Sequence, residues 1–131
     1  MFDWKKFVVL AYLLIENGNE ESIRSGISRL YYGFFGISRR YLINVKNKEY
    51  LRSKSGDIHF NVYTELLNSN DLTENEIAFI LNKLRLIRNN ADYDDCSRYG
   101  KEFFDNFLEA NEKELVIAFE ALEYLKNHPN Y

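Results

Sequence analysis

Apolar residues return along this chain at the spacing of helices. After Asn19 the series Ile23, Ile27, Leu30, Phe34, Ile37, Tyr41 and Val45 recurs every three or four residues, a single stripe on a long helix. Pro129, the only proline, lies at the far end, so no proline interrupts a helix over the rest of the chain. The pattern predicts an all-α, up-and-down bundle of about five helices in one domain spanning 1–131. The first helix runs from about Phe2 to Glu16 and is stopped by Asn17-Gly18; the second starts at Asn19 as N-cap, with Glu20 and Glu21 in its first turn, and reaches about Asn47. A polar loop, Lys48 to Gly56, leads to a third helix from about Asp57 to Asn68. The fourth is opened by Thr73 with Glu76 three residues later, a capping box, and reaches about Asp92. The last spans about Gly100 to Asn127.

Two departures from plain amphipathicity matter. Gly26 and Gly33 sit beside the stripe of the second helix and cost helix propensity there, which is understandable if another backbone packs closely. In the fourth helix Ile77, Ile80, Leu81, Leu84, Ile87 and Ala91 share one arc, and Arg88 falls inside it with Arg85 and Asp92 on its flanks. A guanidinium on an apolar face needs a partner, and Asp92 one turn later is the nearest within the helix. That leaves two readings, an ion pair that fixes register or a polar pocket between helices. The same helix carries a second apolar stripe, Phe79, Leu86 and Tyr93 at steps of seven, which calls for a cover from this chain or from a second copy.

A chain of 131 residues is long enough for one genuine core. Ten Tyr and ten Phe are many for that length and suggest a wide core or an interface. The net charge of −3 argues against a protein that coats nucleic acid generally, while leaving room for a local basic pocket. A single cysteine, Cys96, excludes an internal disulfide and fits a cytoplasmic location. The apolar run Phe7 to Ile15 is too short to cross a bilayer, so no membrane association is expected.

Zinc, phosphate-loop and nucleophile-triad patterns are absent, and no cofactor or metal is expected. Of the two histidines, His128 lies in the terminal tail, and His59 at the start of the third helix is the one placed for proton transfer.

Two segments combine into something more specific. Ser28-Arg29-Leu30-Tyr31-Tyr32-Gly33-Phe34-Phe35 and Leu84-Arg85-Leu86-Ile87-Arg88-Asn89-Asn90-Ala91-Asp92-Tyr93-Asp94, with the loop Ser53 to His59 between them, together resemble the HEPN (higher eukaryotes and prokaryotes nucleotide-binding) domain, in its small prokaryotic branch. The resemblance covers roughly Asn19 to Asp95. It implies a helical bundle that dimerises through its motif-bearing helices and encloses a cleft. It also implies a component of a toxin–antitoxin or phage-defence system, a possible nucleotidyltransferase-like antitoxin partner, and RNA or a nucleotide, not DNA, as ligand. Active members are metal-independent ribonucleases with an R-x(4–6)-H motif, the histidine moving protons and the arginine stabilising phosphorane charge. Here the histidine is missing: from Arg88 its places hold Tyr93, Asp94 and Asp95, and from Arg85 they hold Asn90, Ala91 and Asp92. The catalytic candidates are therefore Arg88 for phosphate, Asn89 for orientation, and Tyr93 or His59 for proton transfer. Arg85, Asp92, Tyr31, Tyr32 and Arg29 are candidates for ligand binding. The alternative is a non-catalytic helical adaptor that binds a partner protein through the same surface.

Overall fold

The computed structural model describes residues 1–53, 56–94 and 105–131, and every described element is helical. Helix α1 covers Lys5–Asn17, α2 Glu20–Asn44, α3 Ile58–Leu67 and α4 Leu72–Tyr93; a single turn α5, Phe107–Ala110, precedes α6, Glu112–Lys126, and a 3-10 turn at Glu49–Arg52 links α2 to α3. None of these helices is long and apolar enough to cross a membrane.

Local chemistry explains most of the boundaries. Gly18 ends α1 in the left-handed region, φ 88°, its N–H reaching Ile15 O, and Asn19 then caps α2 by accepting from Ser22 N at 2.9 Å. Helix α2 stops at Asn44, three residues before the expected end, because Asn47 takes φ 58° and reverses the chain, letting Lys48 N bond back to Leu42 O. Helix α4 begins earlier than the capping-box reading placed it. Asp71, not Thr73, is the N-cap, and its carboxylate accepts from Thr73 N at 2.8 Å and Glu74 N at 3.1 Å. At the C-terminal end, the expected continuous helix is broken at Asn111, which is buried and turns its side-chain amide onto Phe107 O at 2.9 Å. The first part of that expected helix, and Cys96, lie outside the described residues.

Helix α2 is the axis of the bundle. Of the stripe read from sequence, Ile23, Ile27, Leu30, Phe34, Ile37 and Tyr41 are buried, and Val45, just past the end of the helix, is half-buried. Each large apolar side chain on it contributes about 1.5–3 kcal/mol by leaving water. Helix α1 lies antiparallel on α2 and presses on its glycines. A Cβ at Gly26 would stand 2.8 Å from Ala11 O and 2.6 Å from Ile15 Cγ1, and one at Gly33 would stand 2.7 Å from Val8 Cγ2. The close backbone approach inferred from these glycines is therefore made by α1. Phe119 of α6 meets Tyr12 of α1 and Phe34 of α2 with ring centroids 5.6 and 5.5 Å apart, tying the last helix to the first two. On the outer face of α4, Phe79, Leu86 and Tyr93 remain 64%, 46% and 73% exposed, so no described element of the chain covers this second stripe.

Candidate functional site

Helices α2, α3 and α4 converge where α2 presents Arg24, Ser28, Tyr31, Tyr32 and Phe35 on neighbouring turns of one side. Opposite them the last turns of α4 bring Arg88. Its Nε donates to Asp92 Oδ2 at 3.0 Å and its Nη1 to Asn89 Oδ1 at 2.9 Å, while Ser28 Oγ donates to the same Asp92 oxygen at 3.3 Å. Around the guanidinium stand Tyr32, Tyr93 and Tyr31, with ring centroids 5.1, 5.7 and 5.9 Å from Cζ. The Arg88 side chain is 13% exposed and that of Asp92 25% exposed. Arg88 is thus neither a core charge nor a solvated one; it sits at the rim of the core, covered mainly by aromatic rings.

His59 belongs to the same cluster. The capping Asp57, which accepts from Phe60 N, starts α3 so that His59 packs at a tilt against Phe35 with centroids 4.5 Å apart and bonds Tyr31 through Nδ1 at 2.7 Å. Tyr31 therefore bridges the two candidates, with Arg88 over its ring and His59 on its hydroxyl. Burial, with the positive charges of Arg88 and Arg85 adding to it, holds the His59 imidazole below its ordinary pKa, so the ring is neutral at pH 7. The Tyr31 hydroxyl is raised well above the usual tyrosine range by its own burial and stays protonated. With no other acceptor for that hydroxyl among the described residues, Tyr31 donates to Nδ1, and the proton of the neutral ring is on Nε2. In this state His59 offers an N–H to a ligand.

Among the described residues, a cleft of about 410 Å³ beside Asp92 is lined by Glu20, Glu21 and Asp94 as well, and by Arg24. On the other side of the cluster, half-buried Arg85 and Arg88 place positive charge near His59. No group of three or more His, Cys, Asp or Glu among the described residues could hold a metal ion.

Of the residues picked out from the sequence, Arg88, Asn89, Asp92, Tyr93, Tyr31, Tyr32 and His59 come together, with Arg85 close enough to act on the histidine and on Tyr31. Arg29 is the exception. It points to the α1 side of α2 and lies 5.0 Å over the Phe7 ring, because the helical turn carries it away from Ser28 and Tyr32. Sequence reasoning missed Arg24, whose Nη1 reaches Asn90 O, Ala91 O and Asp94 O at 3.2, 3.0 and 2.9 Å. One side chain thereby satisfies the open carbonyls at the end of α4 and fixes the turn that bears Arg88. The available signal was its position four and seven residues before Ser28 and Tyr31, on the same side of α2. No family model, curated protein or solved structure matches this chain.

Proposed function

We propose that the chain is a HEPN-type module of a prokaryotic toxin–antitoxin or phage-defence pair, binding RNA or a nucleotide in a cleft completed by a second copy of itself. The observation that carries this reading is the convergence, from three helices, of Arg88, Arg85, the His59 ring and the rings of Tyr32 and Tyr93. Arginine and the imidazole N–H supply donors for phosphate oxygens, and the tyrosine rings supply faces on which bases stack. The exposed stripe of Phe79, Leu86 and Tyr93 supports dimerisation along α4, which would bring two such clusters to one cleft. A nucleotidyltransferase-like protein is the partner that the resemblance implies.

A second reading, a divergent metal-independent ribonuclease, is favoured by one observation: a neutral histidine and an arginine meet on Tyr31 although the usual motif histidine is absent. The test serves both. Fluorescence anisotropy of labelled single-stranded RNA in EDTA should show salt-dependent binding that weakens about tenfold in Arg85→Ala and in His59→Ala. Binding equal in the wild type and both folded variants refutes the site. Cleavage of the same RNA, lost in His59→Ala, would select the ribonuclease. In parallel, light scattering after size exclusion should give a dimer that Leu86→Arg converts to a monomer; a monomeric wild type refutes the shared cleft.

A further inference from the structure

On the opposite side of α2, the N-terminal segment closes a cavity of about 260 Å³ against the second half of the helix and the 3-10 turn. Phe2, Trp4, Arg39, Arg40, Asn44 and Arg52 line it, and among the described residues no carboxylate does. Three guanidiniums around one cavity are a concentrated positive charge in a chain whose net charge is −3. We infer that this cavity is a ligand site for a phosphate group carried on a flat apolar body, as in a nucleoside monophosphate or the phosphorylated end of an oligonucleotide.

The arginines are poorly neutralised. Arg39 donates only to main-chain carbonyls, Leu51 O at 2.8 Å and Arg52 O at 3.0 Å, and Arg40 donates to Phe2 O at 3.2 Å. Among the described residues neither has a carboxylate partner. The Nε–H of Arg40 is buried without any acceptor, although its guanidinium is held in place by the Tyr131 ring 4.8 Å away. An oxyanion in the cavity can take charge-assisted hydrogen bonds from the guanidiniums that line it. Arg52 does pair with Glu49, at 2.6 Å, but both side chains are more than half exposed, so the pair can open to a ligand at little cost.

The apolar wall is equally specific. Gly36 lies directly beneath the Trp4 indole, and a Cβ there would overlap the ring, so the glycine is what lets Trp4 lie against α2. Phe2 meets Trp4 edge to face at 5.1 Å and is 47% exposed, which leaves an aromatic surface beside the arginines for a base. The cavity shares no residue with the Arg88 cluster.

Trp4 is the only tryptophan, so its emission reports on this cavity alone. The protein is titrated with AMP, with adenosine and with a 5′-phosphorylated oligoribonucleotide beside its unphosphorylated twin, at constant ionic strength. AMP should change Trp4 emission saturably, adenosine should bind at least about tenfold more weakly, and Arg40→Gln and Arg52→Gln should each weaken AMP by about tenfold. Tighter binding of the phosphorylated oligonucleotide than of AMP assigns the site to RNA ends; the reverse assigns it to free nucleotides. The proposal is overturned by adenosine equal to AMP, by no saturable change, or by AMP affinity kept in Arg52→Gln, whose exposed position spares the fold. It is also overturned by an equal loss in Arg88→Ala, which would place the ligand in the other cluster.

Discussion

Removing Arg88 tests whether the rim charge holds α4 to α2. The pair with Asp92 is 3.0 Å long, with side chains 13% and 25% exposed. Exposed pairs contribute at most about 1 kcal/mol and truncation of fully buried ones costs about 3–5 kcal/mol. Asp92 can still reach water and keeps the hydroxyl of Ser28, so the stranded carboxylate is only partly penalised. Three tyrosine rings around the guanidinium add about half a kilocalorie each when they lose it, and these contributions overlap. Arg88→Ala should therefore destabilise by about 2 kcal/mol and lower Tm by about 6–8 °C. The assay is urea unfolding of wild type, Arg88→Ala, Asp92→Ala and the double variant, all at one protein concentration so that association does not enter the comparison. The cycle should return a coupling of about 1 kcal/mol between the two residues. A coupling below about 0.3 kcal/mol would refute the reasoning, since the loss in Arg88→Ala would then come from packing of its stem and rings, not from the ion pair.

Other consequences follow from the same packing. Gly26→Ala should destabilise by about 2 kcal/mol in thermal or urea unfolding despite the better helix propensity of alanine, because the new Cβ meets the main-chain oxygen of Ala11 at 2.8 Å and a backbone atom cannot step aside; a stabilised variant would contradict the close α1–α2 contact. Tyr31→Phe removes the donor to His59 Nδ1, so the His59 pKa read from NMR titration of its ring protons should rise, and stability should fall by about 1 kcal/mol; an unchanged titration would show that the bond does not set the tautomer. Because the folded pKa of His59 lies below its unfolded value, its contribution is present above the unfolded pKa of about 6.5 and is lost as pH falls through the folded one. The wild type should accordingly lose more stability on acidification than His59→Phe, and equal losses would refute the burial-depressed histidine.

The bundle was legible in the sequence because the 3.6-residue period of α2 and α4 survives intact in the fold, and Gly18 and Asn19 mark the end of α1 and the start of α2 with local chemistry alone. The boundaries that differ are set by choices between neighbours that periodicity cannot rank. Asp71 and Thr73 are both good caps, and the structure uses the first; Asn111 reads as an ordinary helical position until its amide is seen bonding Phe107 O. For the site, the i to i+4 pair of Arg88 and Asp92 followed from spacing within one helix, whereas the meeting of His59 with Tyr31 depends on how α3 is laid on α2. Arg24 was invisible for the same reason: its acceptors are carbonyls of another helix, about 66 residues away in the chain.

That long-range placement also bears on what the cluster can do. A general base needs a ring nitrogen with a free lone pair facing the substrate, and in His59 the lone pair is on Nδ1, taken by Tyr31. Nε2–H can give a hydrogen bond to a phosphate oxygen, but Nε2 can accept a proton only if the ring proton moves to Nδ1 and the Tyr31 hydroxyl turns to accept from Nδ1–H. Tyr31 is 2% exposed and has no second acceptor among the described residues, so that turn leaves its own O–H buried and unpaired, a cost of about 1–3 kcal/mol. Such a cost lowers a rate by roughly tenfold to a hundredfold without abolishing it. Binding through His59 needs no such rearrangement, which is why the geometry supports a ligand-holding role ahead of cleavage.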